Sequence, residues 1–314
     1  MRALLEAAPG AERALVLDGE TVVEAHLARS DERLPVGLVA PARLVERQGA
    51  RAVVAIAGAE ALLDPAPADW REGETRFADV VRAARSDGAR DKQARVVAHE
   101  GPDSPAPTLA QRLAGHDVQL LSHFEPDHLA EAGWDVLVEE AQTGRVDFPG
   151  GRLLMADTPA MLVIDVDGSG DLARLAEAAA RAVAAVIRRH GIGGPVVVDF
   201  PSLGGRAPRA VVDAILTERL PPPFDKTAMN GFGLVQIVRP RTCLSFIEQA
   251  RRPGFAALEL LRRAMRMTGH VTISGPPAVT EWLAQRPALT DELARLTGGR
   301  VELVAGGASH VQQG

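Results

Sequence analysis

The sequence predicts a mixed α/β protein, α+β overall, with a small β-barrel inserted near its N-terminus. Three observations carry this. Two apolar runs each end in aspartate, 161–167 and 195–200, and residues 171–190 between them place Leu172, Leu175, Ala179, Val183 and Val186 at helical spacing. Short apolar stretches punctuated by Gly, Pro and Asp fill the region from Ala42 to Val97. The chain has 314 residues and is 46% apolar, enough core-forming material for two or three domains.

Taken in order, residues 12–28 predict a hairpin with Asp18-Gly19 as its turn signal. Ala42 to Val45, Arg51 to Ala57, Glu60 to Leu63, Thr75 to Val81 and Lys92 to Val97 read as the five strands of an OB-like barrel. The segment 100–107 is too rich in Pro and polar residues for an element and reads as a linker. A strand over His116–Leu121 and a helix over Pro126–Thr143 follow, and Pro149-Gly150-Gly151 turns the chain into the aspartate-bearing sheet. Residues 206–219 predict a second helix, stopped by Pro221-Pro222-Pro223, and Phe232 to Val238 a further strand. From Gly254 the pattern is helix, strand (His270–Ser274), helix, strand (Val301–Val304).

Composition narrows the function classes. No apolar stretch reaches the roughly 18 residues of a membrane span, and Met1-Arg2-Ala3-Leu4-Leu5-Glu6 lacks the apolar core of a signal peptide, so a cytoplasmic protein without membrane partners is expected. The single Cys243 excludes an internal disulfide and a Cys-rich zinc site within one chain; no zinc is expected. A net charge of −6 argues against nonspecific coating of nucleic acid, while local basic patches remain able to track phosphates.

The two apolar runs suit strands buried on both faces, and a helical crossover makes them parallel. Asp165 and Asp199 then share the C-terminal edge of the sheet, where open α/β sheets place their sites, with neighbouring strands roughly 5 Å apart. Two carboxylates that close repel unless a cation joins them, and a hard divalent ion held by one or two carboxylates plus a phosphate is the usual magnesium arrangement. The same residues also suit helix capping and turn formation, since 167–171 is Asp-Gly-Ser-Gly-Asp leading into a helix.

The run Phe148-Pro149-Gly150-Gly151-Arg152-Leu153-Leu154, then residues 158–167 from Thr158-Pro159-Ala160 into Ile164-Asp165-Val166-Asp167, then Gly193-Gly194-Pro195-Val196-Val197-Val198-Asp199-Phe200, resembles the catalytic core of the ribonuclease E/G family. Gly231-Phe232-Gly233-Leu234 through Arg239-Pro240-Arg241 resembles its downstream segment, and Leu121-Ser122-His123-Phe124 a stretch upstream. The resemblance implies ribonuclease-H-like segments at 1–34 and 112–147, an OB-type RNA-binding barrel at 35–100, a linker at 101–111, a DNase-I-like catalytic core at 148–250 and a small C-terminal α/β domain at 251–314.

It further implies that Asp165 and Asp199 are magnesium ligands, with manganese as a substitute, and that Asp167 stands where the family usually has Asn. Lys92 resembles a lysine by which the family's barrel holds RNA, solvation being its alternative. Arg239 and Arg241 are candidates for RNA phosphates through their forked guanidinium groups, pairing with local carboxylates being the alternative. The barrel segment Ala52–Ala59 offers no ring for base stacking. The dozen residues after the barrel leave no room for the family's 5′-monophosphate sensor, and its paired zinc-linking cysteines are missing.

The expected function is a magnesium-dependent endoribonuclease that hydrolyses single-stranded RNA through a metal-activated water, in RNA processing or decay, with a homodimer compatible with the sequence. The alternatives are a degenerate relative that binds RNA without cleaving it and, more remotely, a phosphoryl-transfer enzyme for a small substrate.

Overall fold

The computed structural model describes residues 1–86 and 91–313. In chain order, the elements begin with β1 (Arg2–Ala8), β2 (Ala11–Asp18), β3 (Thr21–Arg29), β4 (Val39–Gln48), β5 (Arg51–Ile56), β6 (Ala59–Leu63), β7 (Thr75–Arg82), β8 (Arg85–Ser86), β9 (Asp91–Lys92), β10 (Ala94–Ala98) and α1 (Leu109–Arg112). They continue with β11 (Asp117–Leu121), α2 (His128–Glu131), α3 (Trp134–Thr143), β12 (Arg145–Phe148), β13 (Gly151–Asp157), β14 (Leu162–Gly168), α4 (Leu172–Arg189), β15 (Gly194–Asp199), α5 (Arg206–Arg219), β16 (Asp225–Lys226) and β17 (Leu234–Arg239). The tail is α6 (Phe246–Ala250), α7 (Phe255–Ala264), β18 (Val271–Gly275), α8 (Pro277–Ala284), α9 (Pro287–Thr297), β19 (Val301–Ala305) and β20 (His310–Gln313). No helix among the described residues is long and apolar enough to cross a membrane.

The chain forms two compact units. The first joins Met1–Asp31, Leu113–Thr143 and Phe246–Gly314; the second joins Glu32–Arg112 and Gly144–Ser245. The C-terminal residues thus cluster with the N-terminal segments, where the sequence pattern set 251–314 apart. The reason is a shared buried interior: Phe246 of α6 packs edge-on against Trp134 of α3, and α7 supplies Glu259 to Arg13 and Arg262 to Glu6.

In the first unit, β11-β1-β2-β3 form one sheet, with β11 parallel to β1. β1 was not expected from the sequence. Its apolar residues 3–5 are buried together with Glu6, so a charge interrupts the run that would have announced a strand. The predicted hairpin is present, but its loop is Gly19-Glu20 between Asp18 and Thr21, because Gly19 takes the left-handed conformation. The single helix expected over 126–143 is instead two, α2 and α3, broken at Gly133 with φ 103°. The tail adds a small sheet ordered β19-β18-β20 with three helices, α7, α8 and α9, against it, while α6 packs on α3 and β3.

In the second unit, β10-β6-β5-β4-β7 close into a five-stranded barrel around Leu44, Val54, Ile56, Leu63, Val80, Val96 and Trp70. The 101–111 segment follows it closely: Ser104 exchanges two backbone hydrogen bonds with Val39, and Leu109 is buried. The six-stranded sheet runs β12-β13-β14-β15-β17-β16, and only β14 and β15 pair in parallel. Expected burial on both faces is corrected here. Leu162, Ile164, Val166, Val196 and Val198 are buried on the face covered by α4 and α5, whereas Val163 and Val197 are half-buried and the aspartates are exposed on the opposite face. The apolar runs therefore conceal a period of two, with Val on the open side as well as in the core.

Candidate active site

The crossover through α4 sets the register that matters. Asp165 at the fourth position of β14 lies directly opposite Asp199, the last residue of β15, in a parallel pair. Register partners share a face, so both carboxylates rise from the open side of the sheet, on strands roughly 5 Å apart. The face around them is apolar: Leu154 stands opposite Asp165 on β13, Leu234 opposite Asp199 on β17, and Val163 and Val197 precede the two aspartates on the same side.

Capping does not account for these aspartates. The α4 N-cap is Asp171, whose carboxylate accepts the Arg174 backbone N–H at 2.8 Å, and α5 begins at Gly205 with no side-chain cap. Asp165, Asp167 and Asp199 have no hydrogen-bond or ion-pair partner among the described residues, and all three are exposed. Two adjacent unpaired carboxylates make a hard-oxygen donor pair that fits magnesium, an ion that takes few protein ligands and completes its shell with water and phosphate. No group of three or more His, Cys, Asp and Glu residues is poised to ligate a metal among the described residues.

Asp167 shares the open face but lies two residues further along β14, beyond the end of β15. Its neighbour across the pair is Arg152 of β13, whose guanidinium also sits 3.7 Å from Asp147.

The basic candidates separate. Arg239 is built into the fold: its Nη1 donates to the Ile192 carbonyl at 2.6 Å and its Nε to the Pro221 carbonyl at 3.1 Å, and burial lowers its pKa from the usual guanidinium value. Arg241 donates through Nε and Nη2 to the Gly193 carbonyl, at 3.0 and 2.8 Å, yet also lines a cavity of about 630 Å³ that Lys92 enters from β9. Arg82, Arg85 and Arg95 line the same cavity. Sequence reasoning missed those three arginines, although their clustering around Lys92 between positions 82 and 95 was a visible signal.

It also gave no role to Phe232. This ring is 80% exposed in the turn between Asn230 and Leu234. Asn230 fixes the turn, its Oδ1 accepting the backbone N–H groups of Phe232 (2.9 Å) and Leu234 (3.1 Å), while the Gly233 carbonyl accepts the Phe200 N–H. The turn thus joins the residue after Asp199 to the strand that pairs with it. The flanking Gly231 and Gly233 were the available clue, Gly233 having φ 92°. In the barrel, Trp70 is core and Phe77 is half-buried.

Residues 104–242 match the family model described as the ribonuclease E/G family. No curated protein matches the chain. The matched segment, somewhat under half of the chain, contains the β14–α4–β15 crossover, both paired aspartates and the Phe232 turn, and over it the chain is similar to the ribonuclease E/G family.

Proposed function

We propose that the protein is a magnesium-dependent endoribonuclease acting on single-stranded RNA, with Asp165 and Asp199 as its metal ligands. The match to the ribonuclease E/G family model supports ribonuclease activity in RNA processing; the metal dependence and residue roles are the further step. The observation that carries it is the pair itself: two unpartnered carboxylates in register on the open face of a sheet whose other face is packed. Neither aspartate caps a helix, and a cation between the two would relieve their mutual repulsion.

A magnesium or manganese ion bound there would lower the pKa of a water molecule and neutralise charge developing on the scissile phosphate. The protein's own residues orient the strand. Leu154, Val163, Val197 and Leu234 offer an apolar floor for sugars and bases, and Phe232 a rigid ring for a base to stack on. Arg152, the register partner of Asp167, supplies a cation on the same face for an RNA phosphate.

The test is cleavage of a labelled unstructured RNA with magnesium or manganese, comparing the natural chain with Asp165→Asn and Asp199→Asn. Cleavage should vanish in both variants while their circular dichroism is unchanged. Retained cleavage in either folded variant would sink the assignment. One observation favours a noncatalytic RNA-binding reading, namely Asp167 at the family's Asn position; on that reading the natural chain binds RNA yet cleaves none under either metal.

A further inference from the structure

The side chains that β17 raises on the open face of the six-stranded sheet include a group that the cleavage chemistry does not use. Leu234, Gln236 and Val238 alternate with the buried Val235 and Ile237, so all three share the face that bears Asp165 and Asp199. Register sets their places. Leu234 lies opposite Asp199 and Gln236 opposite Val197, whose own partner on β14 is Val163. Gln236 is thus one strand across from Asp199 and about 7 Å back along the sheet, the order of one nucleotide step in an extended RNA strand.

Gln236 is the polar residue of that row, and Thr227 holds both polar groups of its backbone. The Thr227 backbone N–H donates to the Gln236 carbonyl at 2.9 Å, and the Thr227 hydroxyl accepts the Gln236 N–H at 3.0 Å. The side-chain amide is exposed and has no hydrogen-bond partner among the described residues. Its neighbours on the face are the apolar Leu234, Val238 and Val197, so a fixed strand presents one carbonyl acceptor and one N–H donor group above an apolar floor. Asp225, the register partner of Val238, adds an exposed carboxylate at the far end of the row. Carboxylates at both ends repel phosphates from this strip, and the base is the part of a nucleotide that suits it.

We propose that Gln236 is a specificity-determining residue, its side-chain amide reading the edge of an adenine next to the scissile phosphate. The proposal rests on the ribonuclease reading. Adenine offers its N6 amine beside a ring-nitrogen acceptor on both the N1 and the N7 edge, the complement of an amide, so glutamine pairs with it through two hydrogen bonds. Guanine shows two acceptors on its N7 edge, and a pyrimidine has one such edge and covers less of the apolar floor. Phe232 and Leu234 supply stacking and apolar contact, which every base satisfies; the amide distinguishes one base from another.

The test is fluorescence anisotropy of the full chain in EDTA, where cleavage plays no part, with two labelled uridine-rich RNAs. One carries adenine at alternate positions; the other carries unsubstituted purine there, which lacks only the N6 amine. The natural chain should bind the adenine strand about fivefold more tightly, the worth of one hydrogen bond. Gln236→Leu keeps the apolar row and alters an exposed strand position, so it should keep its melting temperature and bind both strands equally. Gln236→Thr, a strand former too short to reach the base, should give the same result and serves if the leucine variant does not fold. Equal binding of the two strands by the natural chain overturns the proposal, as does an undiminished preference in a folded variant or a natural chain that binds neither strand. Failure of the two readings is distinguishable: a chain that cleaves without this preference loses the role of Gln236 alone, and one that shows the preference without cleaving loses the ribonuclease reading.

Discussion

Single side chains on this molecule gain their meaning from what fails to satisfy them. Some half-buried charges here are answered within the fold, as with Arg239 on two carbonyls or Lys226 on Asp213 at 3.0 Å. Asp165 and Asp199 are left without a partner beside a rigidly presented Phe232. A ring so exposed contributes little to folding, since its surface remains in water. Phe232→Ala should therefore leave the melting temperature nearly unchanged while weakening RNA binding by about 1–3 kcal/mol, the range for a base stacked on an aromatic ring. A large drop in melting temperature with unaltered RNA affinity would make the ring structural and end its assignment as a stacking platform.

At the scale of elements, the site depends on the hairpin that carries β12 into β13 and lays β13 beside β14. Phe148 pairs with Gly151 across the Pro149-Gly150 turn, and Gly150 has φ 93°, a conformation costly for any residue with a Cβ. Gly151 is needed for a different reason. A Cβ there would lie 2.5 Å from the Asp167 carbonyl oxygen and 2.9 Å from Leu175 of α4, contacts that cannot be accommodated without moving β14 or the helix. Gly151→Ala should thus destabilise by about 1–3 kcal/mol, as overpacking commonly does, and cleavage should fall with it because the displaced strand is the one that holds Asp165. Thermal denaturation and a cleavage assay below the melting temperature check this; an unperturbed melt would show that the hairpin yields without cost.

At the scale of the whole molecule, the first unit is assembled from three segments distant in sequence, and a buried ion network fastens them. Glu259 of α7 pairs with Arg13 of β2 at 2.9 Å and accepts the Trp134 indole N–H at 3.0 Å; Arg262 bonds both oxygens of Asp127, and Arg266 pairs with Glu6. Burial pushes the Glu259 carboxyl upward, but the charges of Arg13 and Arg262 and the hydrogen bonds from Trp134 and Arg13 prevail and hold it below the usual range. A group with a depressed folded pKa stabilises the native state at pH above its unfolded value, about 4.3, and that stabilisation is lost as pH falls through the folded value. Asp127 is depressed as well: burial opposes the shift, and the Ala130 backbone N–H with Arg262 and Arg266 produces it. The unit should unfold in acid, and Arg262→Ala should cost about 3–5 kcal/mol near neutral pH by stranding buried carboxylates. Chemical denaturation across pH measures both; an Arg262→Ala chain as stable as the natural one refutes the network's role.

The sequence by itself determined the barrel's five strands, the α4 crossover with its parallel strands, α5 to the residue, and the two aspartates as neighbours on adjacent strands, because period, turn residues and helix breakers act locally. Asp165 and Asp199 were legible for the same reason: their adjacency follows from a right-handed crossover between two short strands. Only the tertiary structure decided that the face bearing them is open, that Arg239 is spent on backbone carbonyls, that Arg82, Arg85, Arg95 and Arg241 converge on Lys92, and that the C-terminal helices complete the N-terminal sheet. Those outcomes depend on which segments, tens to hundreds of residues apart, meet across a core or a cavity. No local pattern encodes that, because the free energy of such a contact depends on the burial and charge of both partners at once.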